Sequence, residues 1–172
     1  MNNIYLLLFL FLVTLELNAQ DAPAERPAKA IYVEGLGSGL GVSLNYDTRF
    51  KPGLSGLGLR VGVGGLDVSS SAGSIDIITL PVLVNYVAGN SRAAFEAGVG
   101  VTVIRVSAIS ASTLPGDNIV AKGTGVAGSG NFGLRVQPKR NGVHFRLYWS
   151  PFVTSDIFEP RIFGASLGFG FR

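Results

Sequence analysis

The sequence predicts an all-β protein, an eight-stranded antiparallel transmembrane up-and-down β-barrel. Of its 172 residues, 47% are hydrophobic and only 15% are charged, whereas about a quarter of an ordinary soluble domain is charged. From Ile31 to the C-terminus, large apolar residues alternate with small or polar ones, which is the strand pattern. The chain also contains 24 glycines, many of them on the face opposite the large apolar residues. Such a face is typical of a narrow lumen.

Residues 1–19 are predicted to form a secretory signal peptide that is removed. Residues 4–15 are uncharged and apolar, too short for a transmembrane helix of about 20 residues but typical of a signal sequence, and Ala19 offers a cleavage point. A buried N-terminal helix is the alternative interpretation. Residues 20–29 are rich in Pro, Ala and charge and predict an extended leader. The barrel is assigned to residues 30–172 and to the outer membrane of a Gram-negative bacterium.

The direction in which the apolar face points separates a membrane barrel from a soluble one. Between residues 92 and 105, Phe95 and Val99 lie on one face, whereas Gly98 and Gly100 lie on the other. Outward apolar and inward small or polar residues are the pattern of a transmembrane barrel. A soluble periplasmic lipid-binding barrel, with the apolar face turned inward around a ligand, is the competing interpretation.

The turns set the number of strands. Short connections near residues 50–53, 88–91 and 138–142 alternate with longer ones near 67–74, 107–120 and 154–160. The long alternating run at 31–47 is divided at Gly37-Ser38-Gly39, because a membrane strand needs only about 9–11 residues. An even number of strands places both termini in the periplasm and the longer loops outside. The eight strands are predicted at about 30–37, 40–50, 54–68, 74–88, 92–106, 120–137, 142–153 and 161–171.

With its signal peptide, its eight strands and its last strand GASLGFGFR, the chain resembles small outer-membrane barrels, the group of the OmpA membrane domain, OmpX and OmpW. The run ITLPVLVNYVAGN…AAFEAGVGV is similar to a large set of uncharacterised outer-membrane barrel proteins. The resemblance covers about 30–172. It implies fold and location rather than a reaction, with outer-membrane lipids and the barrel-assembly machinery as partners. In such families that machinery recognises a final strand whose last residue is Phe, whereas in this chain Phe171 is followed by Arg172.

The sequence contains no recognisable catalytic set. Cys is absent and His144 is the single His, which excludes thiol chemistry and most His-based metal sites. On the predicted topology His144 lies near the periplasmic end and faces the lumen. We therefore expect no enzymatic activity, no metal and no cofactor. A basic stripe with interleaved aromatics is also missing, so nucleic acid is not an expected partner.

Several charged residues share the inward face. The lumen of an eight-stranded barrel is just wide enough to be filled by side chains, and a charge buried there must be paired. We predict that Glu96 pairs with an arginine in a structural plug, or alternatively in a narrow, gated conduit. Arg49 is assigned to the periplasmic end of the barrel. The predicted lumen charge network comprises Arg60, Glu96, Arg135, His144 and Arg146, with Glu34 and Asp47 as further members.

The expected function is that of a non-enzymatic outer-membrane barrel with a structural or surface-interaction role through its outer loops. In the longest predicted loop, 107–120, the apolar residues Ile119 and Val120 are candidates for contact with a surface partner, whose identity the sequence does not specify. A narrow pore for small solutes and the soluble lipid-binding barrel are the alternatives.

Overall fold

The computed structural model describes residues 26–70, 73–111 and 118–172. The predicted signal peptide and most of the leader lie outside these residues. Within them, no helix has the length and apolar character needed to cross a membrane. The strands are β1 (Lys29–Leu36), β2 (Val42–Arg49), β3 (Gly56–Ser70), β4 (Gly73–Ala88), β5 (Ala93–Ala111), β6 (Asn118–Val136), β7 (Gly142–Trp149), β8 (Phe152–Val153), β9 (Phe158–Glu159) and β10 (Phe163–Phe171), with a 3-10 turn at Gly37–Gly39.

Eight of these strands close into an antiparallel ring. Strands β1 to β6 each pair with the next strand in the chain, and β10 pairs with both β7 and β1, where Ile31 lies opposite Phe169. The short β8 continues along β6 beyond β7 and forms a small hairpin with β9. The predicted eight-stranded barrel and the division of the first alternating run into two strands are confirmed. We call the end that carries Lys29 and Phe171 the proximal end and the opposite end the distal end.

The outside of the barrel is an apolar belt. Val99 in β5 is 72% exposed, whereas Glu96, an inward residue of the same strand, is 3% exposed. In β5 the belt extends from Phe95 to Val103, nine residues that match the ~9–11 needed to cross a bilayer. This side of the barrel is apolar, and the bore is lined by small and polar side chains.

Glycines in the bore face its largest side chains. A Cβ atom at Gly168 would collide with Tyr32, and a Cβ atom at Gly133 would collide with Tyr148. The alternation of glycine with large residues thus comes from the small diameter of the ring, in which a bulky side chain from one strand occupies the space above its neighbour.

Three of the predicted boundaries are wrong. The predicted loop at 67–74 is largely strand, since β3 continues to Ser70 and β4 begins at Gly73. The predicted loop at 107–120 is largely strand: β5 and β6 remain paired to the tip, where Ile109 lies opposite Val120, and only residues 112–117 lie outside the described chain. Serine-rich composition indicated a loop, but the alternation and the β-branched residues favour strands. The predicted strand 142–153 is interrupted after Trp149, where Ser150 and Pro151 separate β7 from β8, because proline cannot donate a ladder hydrogen bond.

Replacing Val99 with Arg should destabilise the folded barrel in a phospholipid bilayer by about 2–4 kcal/mol, because it places a charge on the outer face at mid-belt. Ser107→Arg is the matched control, since Ser107 lies on the same face of the same strand beyond the belt. Equilibrium unfolding of both variants in vesicles measures the difference. Equal effects at the two positions would show that the belt is not bounded as described.

Candidate functional site

The interior of the barrel holds a cluster of seven charged side chains, which we call the bore cluster. They extend from inward positions of six strands, and each residue is at most 3% exposed. The structure places Arg60, Glu96, Arg135 and Arg146 in this cluster. His144 lies in the bore but does not join the ion pairs. The complete set is Glu34, Asp47, Arg49, Arg60, Glu96, Arg135 and Arg146.

Glu96 is the most heavily bonded carboxylate of the bore cluster. Arg146 donates to both of its oxygens, with Nη2–Oε1 at 2.7 Å and Nε–Oε2 at 3.0 Å. Arg135 donates to Oε2 from 3.2 Å. The side-chain amides of Asn85 and Asn131 each donate to Oε1 at 2.9 Å. Glu96 is thus paired with two of the three predicted arginines, and Arg60 pairs elsewhere.

Asp47 forms the proximal part of the bore cluster. Its carboxylate accepts hydrogen bonds from Arg49 Nη2 at 2.7 and 2.8 Å, from Arg135 Nη2 at 2.9 Å and from the Asn85 amide at 2.6 Å. Because Arg135 also reaches Glu96, it joins the two carboxylates into one network. Charge-assisted bonds of this kind satisfy charges that would otherwise be very costly to bury.

Arg49, which the sequence placed only at the periplasmic end of the barrel, is a further member of the bore cluster. Its side chain is 2% exposed and enters the bore, where it also donates to the carbonyl oxygen of Gly56 at 3.0 Å. The sequence carries the signal, because Arg49 has the same parity in β2 as Asp47 and therefore faces the same way. Gly58 on the adjacent strand leaves room for the guanidinium.

Glu34 forms the distal part of the bore cluster. It is bonded to Arg60, and Arg146 Nη1 approaches it to 3.7 Å. The rings of Tyr32 and Tyr148 flank these cations, with the Arg146 guanidinium 4.6 Å from the Tyr148 ring centre and 5.1 Å from that of Tyr32. Four guanidinium groups face three carboxylates, so the bore cluster has an excess of one positive charge, part of which the aromatic faces compensate.

His144 is held by packing instead of hydrogen bonds. Its ring stacks on Tyr32 with 5.1 Å between the centroids. Within the described part of the chain, neither imidazole nitrogen has a hydrogen-bond partner, so no nucleophile is poised against it as general base catalysis requires. The described residues also contain no group of three or more His, Cys, Asp or Glu side chains that could hold a metal ion.

A second candidate site lies at the distal end, where four strands extend beyond the others. We call this region the distal sheet. Its neighbouring strands stop earlier: β2 begins opposite Gly65, and β7 ends opposite Phe132. The distal sheet consists of residues 66–70 of β3, 73–77 of β4, 104–111 of β5 and 118–125 of β6.

Inside and outside exchange polarity in the distal sheet. The strand register continues unchanged from the barrel, since Gly64 lies opposite Thr79 and Asp67 opposite Asp76. The change therefore comes from the residues and not from a bulge. The inner face is mostly apolar, with Ser70 and Ser110 near the tip: Leu66, Val68, Ile75, Ile77, Ile104, Val106, Ala108, Ile119 and Ala121. The outer face is mostly polar: Asp67, Ser69, Ser74, Asp76, Arg105, Ser107, Lys122 and Thr124, ending on the apolar tip pair Ile109 and Val120.

Two acidic residues meet on the outer face of the distal sheet. Asp67 and Asp76 are directly paired across β3 and β4. A hydrogen bond between the two carboxyl groups, with smaller contributions from desolvation and repulsion, raises the pKa of Asp76 above its usual value. Arg105 borders the same shallow depression. This mixture of charges is typical of a surface in contact with water.

One long backbone edge of the distal sheet is open. From Asn118 to Ala127, β6 pairs with β5, and no strand of the described chain pairs with its other side. The segment contains one charged residue, Lys122, and no proline. Natural sheets usually protect exposed edges with charges, prolines or bulges, so this edge is available for pairing.

Comparison with solved structures agrees with the architecture. The N-terminal β-barrel domain of Pseudomonas aeruginosa OprF aligns over 87% of this chain and 98% of that domain, with a TM-score of 0.55 and 8% sequence identity. The attachment invasion locus protein Ail of Yersinia pestis aligns over 84% of this chain and 95% of its own, with a TM-score of 0.49 and 15% sequence identity. Neisserial surface protein A aligns over 87% of this chain and 97% of its own, with a TM-score of 0.49 and 11% sequence identity. No family model and no curated protein sequence gives a match. The chain has the fold of the small eight-stranded outer-membrane barrels.

Replacing Glu96 with Ala should destabilise the barrel by roughly 3–5 kcal/mol, because it leaves Arg135 and Arg146 short of a buried counter-charge. Urea unfolding of the refolded protein in detergent micelles or lipid vesicles measures the loss. Glu159→Ala is the control and should remain close to wild type, since its ion pair with Arg161 is exposed to water. If both variants unfold at the same urea concentration, the bore cluster contributes nothing to stability.

Proposed function

We propose that this chain is a non-enzymatic outer-membrane barrel protein that binds an extended segment of another protein at the cell surface. The binding region in this proposal is the distal sheet, with its apolar inner face and the open edge of β6. The barrel holds this sheet upright above the lipid and supplies its rigidity.

The location in the outer membrane is supported by the apolar belt and by the fold. Large side chains such as Val99 and Leu167 are more than half exposed around the ring, and water is a poor solvent for a continuous apolar surface of this kind. The short proximal turns and the taller distal strands match barrels with short periplasmic turns and long outer loops. In this orientation the distal sheet faces the cell exterior.

The polarity exchange is the observation that supports a binding role most strongly. If the distal sheet lay in lipid, its outer face would remain apolar, as it is in the belt. The outer face instead carries Asp67, Asp76 and Arg105, and the inner face retains Ile75 at 46% and Ile119 at 67% exposure. A water-bathed sheet with one apolar face requires something to cover that face.

The open β6 edge indicates the chemistry of the partner. A strand laid along Asn118–Ala127 would pair with unmet backbone groups and would direct alternate side chains onto the apolar inner face. The partner in this proposal is therefore an extended polypeptide with apolar residues at every second position. Neither a sugar nor an ordinary ion supplies both the backbone ladder and the apolar side chains.

The orientation is testable because the chain has no cysteine. A single cysteine at Ser155, in the exposed distal connection, should react with a membrane-impermeant maleimide on intact cells. A single cysteine at Ser91, in an exposed proximal turn, should react only after the outer membrane is permeabilised. The reverse pattern, or recovery of the protein in the soluble periplasmic fraction, would refute the proposed location.

The binding role is tested by a photocrosslinking side chain placed at two adjacent positions of β5. Val106 faces inward and Ser107 faces outward in the distal sheet. On intact cells in their native medium, position 106 should form discrete adducts with a secreted or surface protein, because the partner covers the inner face. Position 107 should not. Adducts at neither position, or equally at both, would contradict binding at the inner face.

A further inference from the structure

The connection between β1 and β2 folds into the bore and does not project outward from the rim. Gly37, Ser38 and Gly39 are buried. We call residues 36–41 the β1–β2 turn. Its 3-10 turn contacts β1, β3, β4, β6 and β10, which surround the bore at this level. The bore is thus closed distally by a piece of its own chain, just above the bore cluster.

Hydrogen bonds attach the β1–β2 turn to the opposite wall. The hydroxyl of Thr102 on β5 donates to the carbonyl oxygen of Ser38 at 3.2 Å, and that of Thr79 on β4 donates to the carbonyl oxygen of Gly39 at 2.7 Å. The hydroxyls of Ser38 and Ser150 lie 3.3 Å apart. In a ring of eight, β5 lies opposite β1, so the turn spans the full diameter. Each of these three partners is a neutral group that water can replace.

The backbone of the β1–β2 turn is strained where it leaves and rejoins the wall. Leu36 has φ 60° and Leu40 has φ 48°, the left-handed region that residues with a side chain seldom occupy. Such conformations persist only where surrounding contacts hold them, and they cluster in segments with two arrangements. A turn released from the bore would relieve this strain.

Glu34 connects the β1–β2 turn to the bore cluster. Its Oε1 accepts hydrogen bonds from the backbone N–H of Gly39 at 3.3 Å and from the Ser43 hydroxyl at 3.4 Å, while its Oε2 is bonded to Arg60. One carboxylate therefore holds both the turn and a cation of the layer below. Loss of its charge would loosen both barriers in the bore together.

We propose that the β1–β2 turn is a removable stopper of an anion-conducting bore and that Glu34 is its latch. When the stopper withdraws distally, it exposes a throat lined by the hydroxyls of Thr79, Thr102, Ser129 and Ser150. Arg60 and Arg146 form the floor of this throat, and the excess positive charge of the bore cluster favours small anions over cations. This activity is separate from partner binding at the distal sheet and does not depend on it.

The first test measures whether the stopper moves. In the cysteine-free chain, Ser38→Cys places a thiol on the stopper, and its rate of modification by the small anionic reagent (2-sulfonatoethyl) methanethiosulfonate reports opening in lipid vesicles. Adding Glu34→Gln should raise that rate about ten- to a hundredfold, the effect expected from removing one charge-assisted bond from the closed state. Adding Glu159→Gln, which removes an exposed distal charge, should leave the rate unchanged.

Thr102→Val is the second variant, in case Glu34→Gln does not fold. It removes the hydroxyl that donates to Ser38 while preserving shape, and it should raise the modification rate in the same direction. Heat-modifiable gel migration verifies folding of each variant. If the thiol introduced by Ser38→Cys reacts no faster in folded protein that also carries either substitution, the turn is a fixed part of the wall and the proposal is wrong.

The second test measures conduction. In planar bilayers, the Glu34→Gln protein should pass a current whose reversal potential in a KCl gradient indicates chloride selectivity. Adding Ser38→Cys and Ser150→Cys, whose hydroxyls lie within disulfide reach, should abolish the current under oxidising conditions, and a reductant should restore it. A current that is cation-selective or unaffected by the disulfide, or thiol modification without any current, would overturn the conducting bore.

Discussion

The structure depends on one geometric constraint, the small diameter of a ring closed by only eight strands. Every second side chain must enter a bore that is barely wide enough to be filled. Large residues therefore enter where a neighbouring strand supplies glycine, as Tyr32 does beside Gly168. Charges enter only where other charges meet them. Glu96 and Asp47 bind Arg135 between them, because an isolated ion buried in the bore would be very costly.

The same strands must also satisfy two surroundings along their length. In the belt, the outer face is apolar, while the bore is polar. In the distal sheet, where β3 to β6 extend past the rest of the ring, the outer face becomes polar and the inner face apolar. A single period-two register accommodates both arrangements because only the residue types change. The level at which they change defines the distal edge of the belt, between Val103 and Arg105 on β5.

Much of this fold could be predicted from alternation alone. Outward-facing and bore-facing residues of the belt separate by parity, which also brings Glu96 and the arginines of β6 and β7 together. Parity equally assigns Arg49 to the bore, because it lies two residues after Asp47 within the predicted strand at 40–50. The sequence does not reveal the distal sheet readily, because the serines at 107–112 resemble a loop. A signal is nevertheless present: in all four strands the large apolar residues move from outward to inward positions, from Val63 to Leu66, from Ile78 to Ile77, from Val103 to Ile104 and from Val126 to Ala121.

The inward path of the β1–β2 turn could not be predicted from the sequence. Gly37-Ser38-Gly39 identifies a turn but not its direction. The direction depends on hydroxyls far away in the chain, Thr79, Thr102 and Ser150, that meet only when the ring closes. Contacts between residues so far apart in the sequence depend on the topology of the barrel, and a local sequence pattern does not predict them.

The polarity exchange is tested most directly by nitroxide labels placed one at a time from position 97 to position 108 of β5 in bilayers. Collision rates with oxygen report lipid, and collision rates with a water-soluble nickel complex report water. We expect odd positions up to 103 to favour oxygen, odd positions from 105 to favour nickel, and even positions below 104 to be shielded from both. Odd positions that favour oxygen through 107 would contradict the polarity exchange, because the outer face of the distal sheet would then lie in lipid.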